Sequence, residues 1–155
     1  MQDLEQILAK RKQSNATLTL VTGVFDVLHL EHKRFLRKAK ALGDLLIVGL
    51  ESDKRVRQMK GEGRPVNTAS LRQANLEKWQ LADCIFILPE QFSSPDDHRQ
   101  LIDHIRPTYM AVSAHTSFLE AKEQILAQFG AKLVVVHDFN PLFSSTQMIN
   151  NDIKK

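Results

Sequence analysis

Five short apolar runs, at residues 17–21, 44–50, 84–88, 109–112 and 132–136, alternate with stretches whose apolar residues recur at helical spacing. No other feature constrains the fold as much. A continuous run such as Leu45-Leu46-Ile47-Val48 reads as a strand covered on both faces. Strands separated by helix-length segments are joined by right-handed crossovers into a parallel sheet. The expected architecture is therefore α/β: a doubly wound parallel five-stranded sheet with helices on both faces.

The punctuation agrees with that reading. Residues 3–12 form an amphipathic helix with Leu4, Ile7 and Leu8 on one face, and residues 30–41 form a second around Phe35, Leu36 and Ala39. Residues 52–59 read as helical, and a loop with two glycines and a proline follows at 60–67. Asn67 or Thr68 caps the next helix, which runs to about residue 80. Ser93-Ser94-Pro95 opens another that Pro107 closes, Gly130 ends a helix over 117–129, and a last helix covers 144–153.

The 155 residues suit one domain, 1–155, with one core. No apolar stretch approaches the ~20 residues needed to cross a bilayer. The acidic start at residues 1–5 is unlike a secretory signal, so the cytoplasm is the expected compartment. Cys84 is the single cysteine, which excludes an internal disulfide, and its apolar surroundings predict a buried, inert thiol. The net charge of +3 is spread among acids, and one Trp and one Tyr offer no stacking platform. A small anionic ligand explains the excess better than nucleic acid, and no membrane partner is expected.

The first strand hands over to the first crossover helix through Thr22-Gly23-Val24-Phe25-Asp26-Val27-Leu28-His29-Leu30-Glu31-His32. Ligands of open parallel sheets bind outside the carboxyl ends of the strands. A helix amino terminus there supplies N–H groups and a positive dipole end, both suited to phosphate. Two imidazoles three residues apart add donors, so the simplest chemistry for this turn is holding a polyphosphate. Zinc would need further ligands at familiar spacing, which the sequence does not supply. Lys60 in the glycine-rich loop, Arg72 on the helix behind it, and Ser144-Ser145-Thr146 opening the last helix are the other groups that the sheet would bring near.

Gly23-x-Phe25-Asp26-x-x-His29-x-x-His32 resembles the GxFDxxHxGH signature of the cytidylyltransferase-like nucleotidyltransferase superfamily. The similarity extends through residues 39–49, Ser52-Asp53, residues 59–67 with Arg72, Ala82-Asp83 and residues 144–149. It is closest to the adenylyltransferase domains of ADP-heptose synthases and more distant from glycerol-3-phosphate cytidylyltransferases.

The resemblance implies a Rossmann-like sheet and transfer of a nucleoside monophosphate from ATP or CTP to a phosphorylated small molecule. A sugar phosphate is the natural candidate, with Mg²⁺ carried by the triphosphate. An acceptor phosphate oxygen attacks the α-phosphorus and pyrophosphate leaves. Such transfer needs positioning and charge stabilisation rather than a protein nucleophile. By carry-over, His29, His32 and Lys60 act on the triphosphate. Thr22, Gly23, Val24 and Phe25 bring backbone to the α-phosphate, with Gly23 leaving room for it. Arg72 neutralises phosphate, Ser144, Ser145 and Thr146 hold the β/γ end, and Asp26 orients the turn or its cations. A homodimer is also implied.

The chain departs from the pattern at three places. Glu31 stands where the family has glycine between the histidines. Facing the triphosphate it would repel it by about 4 kcal/mol at 4 Å in a dielectric of ~20; facing outward it would complement the helix dipole. Met110-Ala111-Val112-Ser113-Ala114-His115 replaces a Lys-Gly-Gly-Asp or Gly-Asp-Asp element, and residues 140–143 lack an arginine that some relatives carry. These differences keep open a second reading, a catalytically impaired nucleotide-binding or regulatory protein on the same fold. A basic nucleic-acid module is a third, supported by charge alone. Trp79 and Phe86 are expected in the core or a subunit interface, His115 in a structural role, and His98, His104 and His137 outside the site.

Overall fold

The computed structural model describes residues 2–137. Among these, the elements run α1 (Leu4–Lys12), β1 (Leu18–Gly23), α2 (Leu30–Ala41), β2 (Leu45–Leu50), α3 (Asp53–Lys60), α4 (Ala69–Glu77), β3 (Cys84–Ile87), α5 (Pro95–Ile105), β4 (Tyr109–Ser113), α6 (Leu119–Gln128) and β5 (Lys132–His137). All five strands pair in parallel, in the order β3-β2-β1-β4-β5. The doubly wound α/β sheet expected from the alternation is the fold. No helix among the described residues is long and apolar enough to cross a membrane.

Strand alternation sends successive side chains to opposite layers. Leu18, Leu20, Ile47, Met110 and Val112 pack with Ile7 and Leu8 of α1, Ile102 and Ile105 of α5, and Ile125 and Leu126 of α6. Val21, Leu46, Val48, Leu50 and Ala111 pack with Phe35, Leu36 and Ala39 of α2 and Leu76 of α4. Trp79 lies against the second cluster and Phe86 against the first. Cys84, on the edge strand β3, is buried in the first cluster, and burial, followed by Asp3 and Asp83, pushes its thiol up to about 11, so it stays protonated.

Helix starts follow their caps. Ser52 accepts from Arg55 N–H at 3.1 Å and Thr68 from Leu71 N–H at 3.3 Å. Ser94 and Asp97 form a reciprocal capping box with Pro95 in the first turn. The largest boundary difference is at α4, which ends at Glu77, and Gln80 takes a positive φ of 54° that no helix continues through. Lys60, expected in the loop, is the last residue of α3, α6 is shorter than 117–129, and the helix expected over 144–153 lies outside the described residues.

The strand order fixes where a ligand goes. From β1 the chain moves outward to β2 and β3, then returns to place β4 on the other side of β1. The crossover after β1 and those around β4 therefore lie on opposite layers, and a crevice opens between β1 and β4 at their carboxyl ends. The turn at residues 24–29 forms one lip of it.

Candidate active site

Both histidines are built into the start of α2. His29 is the N-cap, and its Nδ1 accepts the N–H of Glu31 at 3.2 Å. His32 Nδ1 accepts the N–H of His29 at 3.3 Å. The two rings are stacked, with centroids 3.8 Å apart and planes 24° from parallel. A neutral imidazole that accepts at Nδ1 carries its proton on Nε2. The capping bonds thus fix one tautomer in both rings, with the proton on Nε2 as a donor, and Nε2 of His29 is buried.

Neutrality itself follows from the surroundings. Burial, then His29 and Lys60, lowers the His32 pKa to about 3. His29 is also lowered by burial, with Glu31 pulling the other way. Because the folded His32 pKa lies far below that of a free imidazole, the unfolded chain binds the extra proton between pH 6.5 and about 3. Stability conferred by neutral His32 is complete above pH 6.5 and declines on acidification through that window. Urea midpoints measured from pH 8 to pH 4 are expected to fall less for His32→Gln than for the parent chain. Equal slopes would contradict the neutral, buried assignment.

Asp26 ties the glycine-rich loop to the turn. Its carboxylate has no exposed surface and accepts from Val66 N–H at 2.7 Å, Asn67 N–H at 2.8 Å and Arg64 Nε at 3.4 Å. The Asn67 side chain returns a bond to Asp26 O at 2.8 Å. Such bonds to a charged acceptor are roughly twice as strong as neutral ones. They bring the loop after α3 to the histidines, and Lys60 is near enough to act on His32 electrostatically. The Lys60 pKa is lowered by desolvation first and Arg64 second, while Asp26 opposes; the side chain as a whole remains exposed.

Arg72 occupies a place that sequence reasoning missed. Its side chain is fully buried, and it donates to Val24 O at 2.8 Å, Asn67 O at 3.1 Å and Asp53 Oδ1 at 2.8 Å. Asp53 also accepts the N–H of Ala69 at 2.9 Å. The guanidinium is thus a strut between the β1–α2 turn, the loop and the start of α4, rather than an open phosphate clamp.

Gly23 likewise has a local reason. A Cβ there would lie 2.8 Å from Cε2 of Phe25, whose backbone has φ 50° and whose ring packs on His32 with centroids 5.4 Å apart. The glycine accommodates that ring, which in turn walls the imidazole pair. Val24 contributes its carbonyl to Arg72, and Thr22 falls on the layer opposite α2, in register with Gly49.

Glu31 turns along its own helix. Its Oε1 accepts from Arg34 Nη1 at 2.8 Å, and its side chain is only 11% exposed. Arg34 is more than half exposed, so the pair adds at most ~0.5 kcal/mol, but it holds the carboxylate on the α2 flank. Ser144, Ser145 and Thr146 lie outside the described residues. His104 bonds Glu5 Oε1 at 2.6 Å on the surface.

A cytidylyltransferase-like family model matches residues 20–152, which include every residue placed at this turn. The chain belongs to the cytidylyltransferase-like family. It is 34% identical over 148 residues to the bifunctional protein HldE of Campylobacter jejuni subsp. jejuni, covering 94% of this chain. The HldE of Sulfurimonas denitrificans is also 34% identical over 148 residues, covering 96% of the chain. The chain spans about 30% of the length of these curated relatives.

Among solved structures, the lipopolysaccharide core biosynthesis protein of Thermoplasma volcanium superposes with TM-score 0.64 at 23% identity, over 81% of this chain and 98% of that one. Pantothenate synthetase of Thermus thermophilus superposes with TM-score 0.62 at 11% identity, over 88% of this chain and 60% of that one. At such identities these two speak for the fold. Asp26 joins the loop after α3 to the turn that carries the imidazole pair.

Proposed function

We propose that the chain is a nucleotidyltransferase that moves a nucleoside monophosphate from ATP or CTP to a phosphorylated small molecule, a sugar phosphate, and releases pyrophosphate. The observation that carries this reading is the stacked imidazole pair. Two neutral rings, both held as Nε2–H donors at a helix amino terminus beside Lys60, offer directed hydrogen bonds and positive potential without a proton acceptor. That set suits charge developing on phosphate oxygens during in-line displacement, where no protein nucleophile is required.

His29 and His32 would donate to the triphosphate, and Lys60 would neutralise its β/γ end. The backbone from Thr22 to Phe25 would lie along the α-phosphate, and Ser144, Ser145 and Thr146 are proposed at the distal phosphates. Asp26 and Arg72 act through the loop and the turn. Mg²⁺ would arrive on the triphosphate and offset its charge. Both Asp26 oxygens already accept protein N–H groups, which fits a metal held mainly by phosphate rather than by this carboxylate. A cytoplasmic homodimer accompanies this reading.

Glu31 lies within electrostatic reach of His29, and this favours keeping the non-catalytic reading as the alternative. One experiment separates the two. Pyrophosphate release is measured with ATP and with CTP against a panel of sugar phosphates, alongside calorimetry with non-hydrolysable triphosphates. Turnover with one pair supports the enzyme. Binding without turnover across the panel supports the regulatory protein, and absence of binding overturns both.

A further inference from the structure

The crevice has a second wall, and its chemistry differs from the first. Leu45 and Ile47 of β2 face the α5–α6 layer, and strand alternation puts Gly49 and Glu51 on the same side. The ladder reaches Glu51, whose N–H donates to Gly23 O at 2.9 Å. Glu51 therefore stands next to the β1 turn but on the side away from His29 and His32. Its Oε2 is buried without a hydrogen-bond partner, the kind of acceptor that folded proteins rarely leave unsatisfied.

Three basic groups come from the first turns of three helices on that side; Arg55 and Lys122 act on the carboxylate itself, and His98 acts on those two cations. Arg55 of α3 is anchored by Nε to Phe92 O at 3.2 Å. His98 of α5 packs on the same Phe92, with ring centroids 4.4 Å apart. Lys122 of α6 is half-buried where its backbone N–H closes the first helical turn on Phe118 O. Electrostatics links all four: Glu51 interacts with Arg55 and Lys122 and, beyond the cluster, with Arg72, while His98 interacts with Lys122 and Arg55 and with its neighbour Asp97. Burial is the leading influence on three of them, raising Glu51 and lowering His98 and Lys122. Two basic side chains, Arg55 and Lys122, thus face one carboxylate.

Resting on the reading above, we propose that Glu51, Arg55, His98 and Lys122 are the acceptor subsite and take a hydroxylated phosphate monoester. Lys122 and Arg55 hold the phosphate, and Glu51 accepts a hydroxyl of the carbon skeleton. The stereochemistry of the transfer requires a site on this side. An acceptor phosphate oxygen forms its bond to the α-phosphorus as the bond to the oxygen bridging to the β-phosphorus breaks, and pyrophosphate leaves with that electron pair. Entering and leaving oxygens lie roughly in line. If pyrophosphate departs along the imidazole wall, the acceptor enters from the wall opposite, where these four residues stand. His98, read from sequence as outside the site, belongs to it.

The test uses the full chain with Glu51→Gln, which keeps shape and removes charge, and Lys122→Met, which keeps the aliphatic stem. Binding of aldose 1-phosphates and aldose 7-phosphates, and of a non-hydrolysable ATP analogue, is titrated calorimetrically, with thermal midpoints recorded as a check on folding. Each variant is expected to lose at least tenfold in affinity for the phosphate ester that the parent chain binds, with nucleotide affinity within about twofold. Unchanged ester affinity in the folded variants overturns the subsite, as does an equal loss for the nucleotide. If the parent chain binds the ATP analogue but no ester, this inference falls while the nucleotide site stands. Failure to bind the analogue as well brings down the parent reading. If Lys122→Met does not fold, Glu51→Gln with Arg55→Gln decides.

Discussion

His29→Asn is expected to leave the chain about as stable as the parent while lowering turnover by roughly two orders of magnitude. Asparagine is among the best N-cap residues, so the N–H of Glu31 keeps an acceptor and the start of α2 survives. What disappears is the Nε2–H edge. Loss of one preorganised donor at a charged transition state costs about 10²–10³ in rate. His29→Ala would confuse the two effects, because it removes the cap as well, at ~1 kcal/mol. Paired measurements of kcat and urea midpoint on the asparagine variant check the prediction. A fall in stability with turnover preserved would show that the imidazole serves the helix alone.

The second large effect is structural. Arg72→Met should destabilise the chain by about 3 kcal/mol, because it strips donors from the part-buried carbonyls of Val24 and Asn67 and removes the ion pair of a buried guanidinium with Asp53. For a domain of this size that corresponds to a fall in Tm of roughly 6–12 °C. The methionine matches the arginine stem, so a packing defect adds little. Nucleotide affinity should fall too, since the turn and the loop lose their common strut. An unchanged Tm with lost nucleotide affinity would instead return Arg72 to the direct phosphate contact that the sequence suggested.

These two residues mark where the sequence was legible and where it was not. Strand positions could be read to within a residue or two because continuous β-branched runs have few other solutions. The bounds of α2 were legible because Phe35, Leu36 and Ala39 define one face. The histidines stood out because a strand, a turn and a helix start are consecutive in the chain. The strut formed by Arg72 was not legible, for the opposite reason. Its acceptor Val24 O lies 48 residues away, and an arginine read as a phosphate partner gives no sign in sequence of the protein groups it bonds.

Gly23 was assigned to a ligand because the positive φ of Phe25, which swings the ring back over it, leaves no trace in composition. The Glu51 cluster was missed although a signal existed. A carboxylate directly after six strand residues, five of them buried, is rarely idle. Its partners, however, come from α3, α5 and α6, and only the strand order reveals that these helix starts converge.

The clamp on Asp26 has a consequence for recognition. The backbone at residues 66 and 67 is already immobilised before any nucleotide arrives, so little conformational freedom remains to be surrendered on association. Encounter should therefore resemble docking onto a rigid rim rather than folding of a flap, with fast association and a modest entropic penalty. Severing the clamp would transfer that penalty to every binding event, even with His29, His32 and Lys60 intact.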